Sequence, residues 1–196
     1  MSAERRITHA KTAASWVLNT LTAQDFAMVV AFGDEATSLG TEMLPMNDVN
    51  RRILKEYISL FTAEGETVMG AAFDLAFTIL NSSPRGTASS GCSKAIIFLG
   101  DGASDGDDPV STIRQRNGGP YTATMDGHQD FVRIFTYGFG DTVADVCGDA
   151  QHNMKQIACE NGGVFHKIRD RDAPKLKKIM ANYFVYLAAG KPDVAT

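Results

Sequence analysis

Basic side chains are not in excess: 19 Lys and Arg stand against 23 Asp and Glu, for a formal charge of −4. Sequence-independent nucleic-acid binding needs a basic footprint to displace counterions, so that class of partner is excluded. Long hydrophobic runs are absent as well. The longest apolar stretches, residues 26–32 and 183–189, have seven residues each. A membrane-spanning helix needs about 20, so this segment does not insert in a bilayer directly. The first residues, Met-Ser-Ala-Glu-Arg-Arg-Ile-Thr-His, hold no apolar core of the kind a secretory signal requires. Cysteine is sparse. Cys92, Cys147 and Cys159 have no C-x-x-C spacing and form no metal-finger pattern with the four histidines. Three cysteines cannot all pair internally, which leaves three thiols or one bond to a segment outside this chain. G-x-S-x-G, the phosphate-loop lysine motif and the dinucleotide glycine fingerprint are all missing.

What is present is a chain of 196 residues with an ordinary 44% apolar share, enough for one domain with a packed core. Two periodicities alternate along it. Ile7, Ala10, Ala14, Val17 and Leu21 fall on one face of a helix. Residues 26–32 (FAMVVAF) then predict a strand apolar on both faces, as a helix-covered parallel sheet requires. Residues 36–44 add a short edge strand. Asn47 or Asp48 caps a helix bearing Ile53, Leu54, Tyr57, Ile58 and Phe61. A loop at 62–67 leads to a helix with Met69, Ala72, Phe73, Ala76 and Leu80 inward. Residues 81–93 read as a surface loop, and 95–99 (AIIFL) as a strand.

Asp108-Pro109 opens a short helix to about Arg116 that Gly118-Gly119-Pro120 stops. A polar loop to Asp130 precedes a strand at 131–137. A helix from about Asp149 to Glu160 ends at Asn161-Gly162-Gly163, a left-handed C-cap signal. Residues 164–168 form a strand. Asp172 caps a last helix with Leu176, Ile179, Met180, Tyr183, Phe184 and Leu187 inward. Strands alternating with helices over this length predict a single α/β domain with a mainly parallel sheet.

Open α/β sheets bind ligands beyond the carboxyl ends of their strands. The segment after AIIFL carries Asp101, Asp105, Asp107 and Asp108 within eight positions. That cluster suits a hard divalent cation with oxygen ligands, and equally a solvated acidic turn. Asp101 abuts the buried strand and is the candidate ligand. Asp107 and Asp108 read as surface and helix-cap residues. Thr67 is either an N-cap or a ligand, and Asp34 reads as a turn residue. His9, His128, His152 and His166 have no ligand spacing.

The order TAEGETVMGAAFDLAF, CSKAIIFLGDGASD, VRIFTYGFG and IACENGGVFHKI resembles the von Willebrand factor type A domain. The version it is most similar to is that of the alpha-2/delta subunits of voltage-gated calcium channels and their Cache-domain relatives. The resemblance runs over essentially the whole chain. It implies a Rossmann-like, doubly wound sheet bearing a metal-ion-dependent adhesion site. In the family, Mg²⁺ or Ca²⁺ there takes a carboxylate from a partner protein, and no bond is broken. Thr67 matches the family's threonine and Asp101 the aspartate of its T-D-G triplet, here Gly100-Asp101-Gly102.

The resemblance implies a partner protein, a channel or another membrane protein among the choices, met outside the cell or at its surface. It places the domain at residues 1–190, with 191–196 as the exit. Cys92 matches a cysteine of the calcium-channel relatives and is the candidate to pair with a segment elsewhere. The family's D-x-S-x-S motif would stand just before the first helix, where Met1 lies. The expectation is therefore a fragment, or a reading frame begun at an internal methionine, that lacks the first central strand. Such a chain would be poorly stable and bind metal weakly. Two alternatives stay open. One is a metal-free structural module of the same fold. The other is a Mg²⁺-dependent phosphatase of the haloacid-dehalogenase type, using Asp101 and Asp105; its D-x-D-x-T motif could only be residues 32–37, which lack the second aspartate, and its lysine only Lys94, which sits close before the last motif.

Overall fold

Ser2 starts the first helix, its hydroxyl oxygen accepting from the Arg5 N–H at 3.4 Å. The computed structural model describes residues 2–63, 67–82, 93–102, 108–119, 131–140 and 154–188. Helix α1 spans Ala3–Thr20. Its expected apolar face is there, but Ile7, Ala10, Ala14 and Val17 are only half-buried, and all four line a cavity. The fully buried positions are Ala13 and Leu18.

The run 26–32 is not one strand. It divides at Met28-Val29 into β1 (Phe26–Ala27) and β2 (Val30–Phe32). Strand β2 pairs antiparallel with β3 (Ala36–Ser38), and β1 pairs with β4 (Leu44–Pro45). The partner segment turns at Gly40, where the Ser38 hydroxyl donates to the Gly40 carbonyl at 2.7 Å. An interrupted partner cannot support a continuous ladder, so the apolar run breaks opposite that turn. Asn47 then caps α2 (Asp48–Ser59), accepting from the Asn50 N–H at 2.9 Å. Leu54 and Ile58 are buried as expected, whereas Ile53 is 40% exposed.

Helix α3 (Met69–Ser82) buries Met69, Ala72, Phe73, Phe77, Ile79 and Leu80. Strand β5 (Lys94–Gly100) lies parallel to β6 (Val132–Phe139), which lies parallel to β7 (Phe165–Ile168). Asp108 caps α4 (Pro109–Asn117), and Gly118 closes it at φ 77°. Helix α5 (Met154–Glu160) ends through Gly162 at φ 62°, the left-handed turn read from the sequence. The long last helix is a correction. A 3₁₀ turn (Asp170–Lys175) containing Pro174 comes first, then α6 (Leu176–Met180) and α7 (Asn182–Ala188). Proline lacks the N–H that a continuous helix needs. The Asp172 carboxylate accepts from the Arg169 N–H at 3.0 Å, closing a turn before the helices rather than capping one. The side chain of Leu187 lies outside the described residues.

Strand β6 is buried along nearly its whole length. One core packs Ile134 against Phe73, Phe77 and Phe98 with Ile113 and Ile157. On the opposite face Phe135, Tyr137 and Phe139 meet Ala13, Met180 and Tyr183. Helices α3, α4 and α5 thus cover one side of the parallel sheet, and α1, α6 and α7 the other. This is the doubly wound α/β arrangement that alternating strands and helices predict. Among the described residues β5 is an edge strand, paired with β6 alone. Between β5 and β2 lies a cavity of about 830 Å³.

Candidate metal centre

The C-terminal end of β5 delivers Asp101. Its carboxylate stands 3.5 Å from the Arg6 guanidinium of α1, with the two side chains 37% and 32% exposed. The adjoining β2 ends at Gly33, whose carbonyl accepts from the Val68 N–H at 3.2 Å. That bond fixes the 67–68 segment at the end of β2 and sets half-buried Thr67 there. Thr67, Asp101, Arg6 and Gly33 all line the cavity between the two strands. Both candidate ligands therefore belong to one lined space. Helix α3 begins at Met69, two positions after Thr67.

The rest of the acidic cluster divides. Asp108 is the helix cap, its carboxylate accepting from the Val110 and Ser111 N–H groups at 3.1 and 3.2 Å. Asp105 and Asp107 lie outside the described residues, as does Glu66. Among the described residues no three His, Cys, Asp or Glu side chains come together as a metal cage.

Asp34 is exposed in the tight connection between β2 and β3, where the Gly33 N–H donates to the Glu35 carbonyl at 3.1 Å. Lys94 opens β5 and Asp101 follows its end. At about 3.3 Å per residue the two are roughly 20 Å apart, too far to share one phosphoryl group. The phosphatase alternative therefore has no support from Lys94.

His166 is a core histidine. Its ring stacks on Tyr137 at 5.5 Å and bonds Asn182 at 3.2 Å, and burial lowers its pKa. His9 is half-buried on α1; His128 and His152 lie outside the described residues. Cys159 is exposed on α5, whereas Cys92 and Cys147 fall outside the described residues. Sequence reasoning missed Arg6. On a helical wheel it is one more polar residue, and only the docking of α1 beside β5 brings it to Asp101.

The family model for the von Willebrand factor type A domain matches residues 2–182. The chain is 29% identical over 187 residues to the human voltage-dependent calcium channel subunit alpha-2/delta-2, covering 94% of this chain. It is 30% identical over 167 residues to human alpha-2/delta-3, covering 83% of this chain. It spans only 14% of the length of either relative. Among solved structures, a von Willebrand factor type A protein from Catenulispora acidiphila superposes with a TM-score of 0.64 at 22% identity. That match covers 89% of this chain and 37% of the other. BatB from Bacteroides thetaiotaomicron gives 0.61 at 16% identity, covering 93% and 88%. A profile match over nearly the whole chain and a doubly wound sheet with Thr67 and Asp101 at its carboxyl end agree: this chain belongs to the von Willebrand factor type A domain family.

Proposed function

We propose that this domain binds a protein ligand without catalysing a reaction, through a divalent cation, Mg²⁺ or Ca²⁺, at the carboxyl end of its sheet. The observation that carries the reading is the placing of Thr67 and Asp101 on one cavity at the ends of β2 and β5. A hydroxyl and a carboxylate are hard oxygen donors of the right kind for these ions. They are two donors where about six are needed, so residues outside the described ones, and water, complete the set. When bound, the ion offers a partially neutralised positive point to a carboxylate of the partner protein.

Asp101 brings the negative charge, and Arg6 competes for it. A half-exposed ion pair is worth about 0–1 kcal/mol, so a cation displaces Arg6 at small cost. Titration calorimetry is expected to give only weak Mg²⁺ or Ca²⁺ binding, and Arg6→Gln is expected to strengthen it several-fold. Micromolar affinity in the unaltered chain would contradict this.

The same ion pair favours a second reading, a metal-free structural module in which the Arg6 guanidinium neutralises Asp101. In that case neither the chain nor its Arg6→Gln variant gives a binding heat with either ion.

The names of the relatives support a channel or another membrane protein as partner, and we propose that the two meet at the outer surface of a cell. The acidic charge supports a partner that is not a nucleic acid. We place the domain at residues 1–190 with 191–196 as its exit, one part of a longer polypeptide.

A further inference from the structure

Charge is spread unevenly along this chain. Residues 167–178 hold six of its 19 Lys and Arg but only two of its 23 Asp and Glu. That segment therefore carries +4 and the remaining residues −8, within a total of −4. The fold keeps these cations together. Strand β7 ends at Ile168, and the 3₁₀ turn and α6 follow at once. Arg171, Lys175, Lys177 and Lys178 are all exposed there. At about 2.0 Å per residue in the 3₁₀ turn and 1.5 Å in α6, their backbone positions span at most roughly 13 Å.

Packing explains the inward side of this segment and not the outward one. Leu176 and Met180 are buried with Tyr137 and Phe139 and hold α6 on the sheet. Several surface cations elsewhere have partners. Arg6 meets Asp101, Arg114 meets Glu160 and Arg116 meets Asp74, and the Lys11 ammonium donates to the Ser59 carbonyl. Arg171, Lys175, Lys177 and Lys178 make no ion pair among the described residues. The Asp172 carboxylate, between them in the chain, is turned onto the Arg169 N–H. Neighbouring cations here lie within the ~8 Å over which physiological salt screens charge. They repel one another, most directly Lys175 and Lys178, one helical turn apart. The cluster works against the fold until an anion covers it.

We propose that this patch is a docking surface for a short acidic run, about four or five Asp or Glu residues, in a partner polypeptide. Charge complementarity names the occupant, and length limits it. An extended chain advances about 3.3 Å per residue, so a run of that size covers the patch from end to end. A nucleic acid or a sulfated glycan would run past it onto the surface of the part that carries −8. Lying on a membrane takes an apolar face as well, and Leu176 and Met180 are spent on the core. The patch begins at the carboxyl end of β7, the end of the sheet that bears Asp101, two strand spacings or roughly 10 Å across. Its four cations ligate no metal, so the surface stands apart from the metal reading.

The test uses the full chain in EDTA, so that metal plays no part. The probe is a fluorescent peptide of five glutamates flanked by Gly-Ser pairs. Fluorescence anisotropy is expected to show saturable binding that weakens at least fivefold between about 50 and about 200 mM salt. Lys175→Glu with Lys178→Glu, and separately Arg171→Glu with Lys177→Glu, are each expected to weaken it at least tenfold. Arg52→Glu reverses an exposed cation of α2 and is expected to leave the affinity within twofold. Two paired variants are used so that misfolding of one, read by circular dichroism, leaves the other decisive. No binding of the probe, an equal loss with Arg52→Glu, or tighter binding of a heparin oligosaccharide of similar charge overturns the proposal.

Discussion

Glu160 shows how one side chain ties two helices to a pH. Its carboxylate accepts from Arg114 Nε at 2.8 Å and from Arg114 Nη2 at 2.6 Å, and Gln156 Nε2 donates to it at 2.8 Å. The Arg114 hydrogen bond holds the Glu160 carboxyl below the usual carboxylate range, against the opposing pull of partial burial. A carboxyl with a depressed folded pKa contributes stability above its unfolded pKa and loses it as pH falls through the folded one. Glu160→Gln is therefore expected to lower the melting temperature at neutral pH. The gap to the unaltered chain should close as pH falls below the carboxylate range, and melting curves at stepped pH read it. At this scale legibility was uneven. Asp108 before Pro109 announces a cap in any sequence. Arg114 and Glu160, 46 positions apart, carry no local signal. Asn117 is hidden in the same way: buried, it bridges Asn161 Oδ1 at 2.7 Å and both polar backbone atoms of Val132.

The turn after α5 shows what two adjacent glycines are for. Gly162 takes φ 62° to reverse the chain, while Gly163 is required for closeness. A Cβ on Gly163 would meet the Ile134 carbonyl oxygen at 2.0 Å. The obstacle is backbone of the central strand, which cannot swing aside as a side chain can. The Gly163 N–H meanwhile donates to the Ala158 carbonyl at 3.0 Å, pinning the turn to its own helix. Gly163→Ala is expected to destabilise the fold at the upper end of the ~1–3 kcal/mol typical of overpacking, measured by urea unfolding. Elements whose ends are marked by such residues could be read from sequence, as α2, α4 and α5 show. The division of residues 26–32 could not be read, because it depends on where the returning segment turns at Gly40. The broken last helix had its warning in Pro174, outweighed by the periodic apolar positions that follow.

Across the whole molecule the burial is lopsided. Strand β6 and the helices on its two faces form a dry centre, while β5 has only Phe98 buried. Half-satisfied strand edges beside a cavity of about 830 Å³ forgo both hydrogen bonds and dispersion contacts. Calorimetry of the chain alone, without metal or peptide, is expected to show melting below the ~45–65 °C common for mesophilic domains. A cooperative transition above that range would contradict it. The motif order made the family legible, since strand and helix signals are local. The cavity was not legible as a volume, because it exists only between elements more than 60 residues apart. Thr67 and Asp101 could be named in advance, whereas Arg6 could not.

Three stacked rings link β2, β5 and α3. Phe32 of β2 lies on Phe98 of β5 with centroids 5.0 Å apart, and Phe98 lies on Phe73 of α3 at 4.8 Å. No ladder joins β2 to β5 among the described residues, so this column of rings is a direct contact from the hairpin to the parallel sheet. A hydrogen-bond ladder has a register and fails if it slips by one residue. Stacked rings are held by shape and tolerate offset. The hairpin is thus fastened to the sheet by the shape of packed rings, a contact that carries no register and needs none.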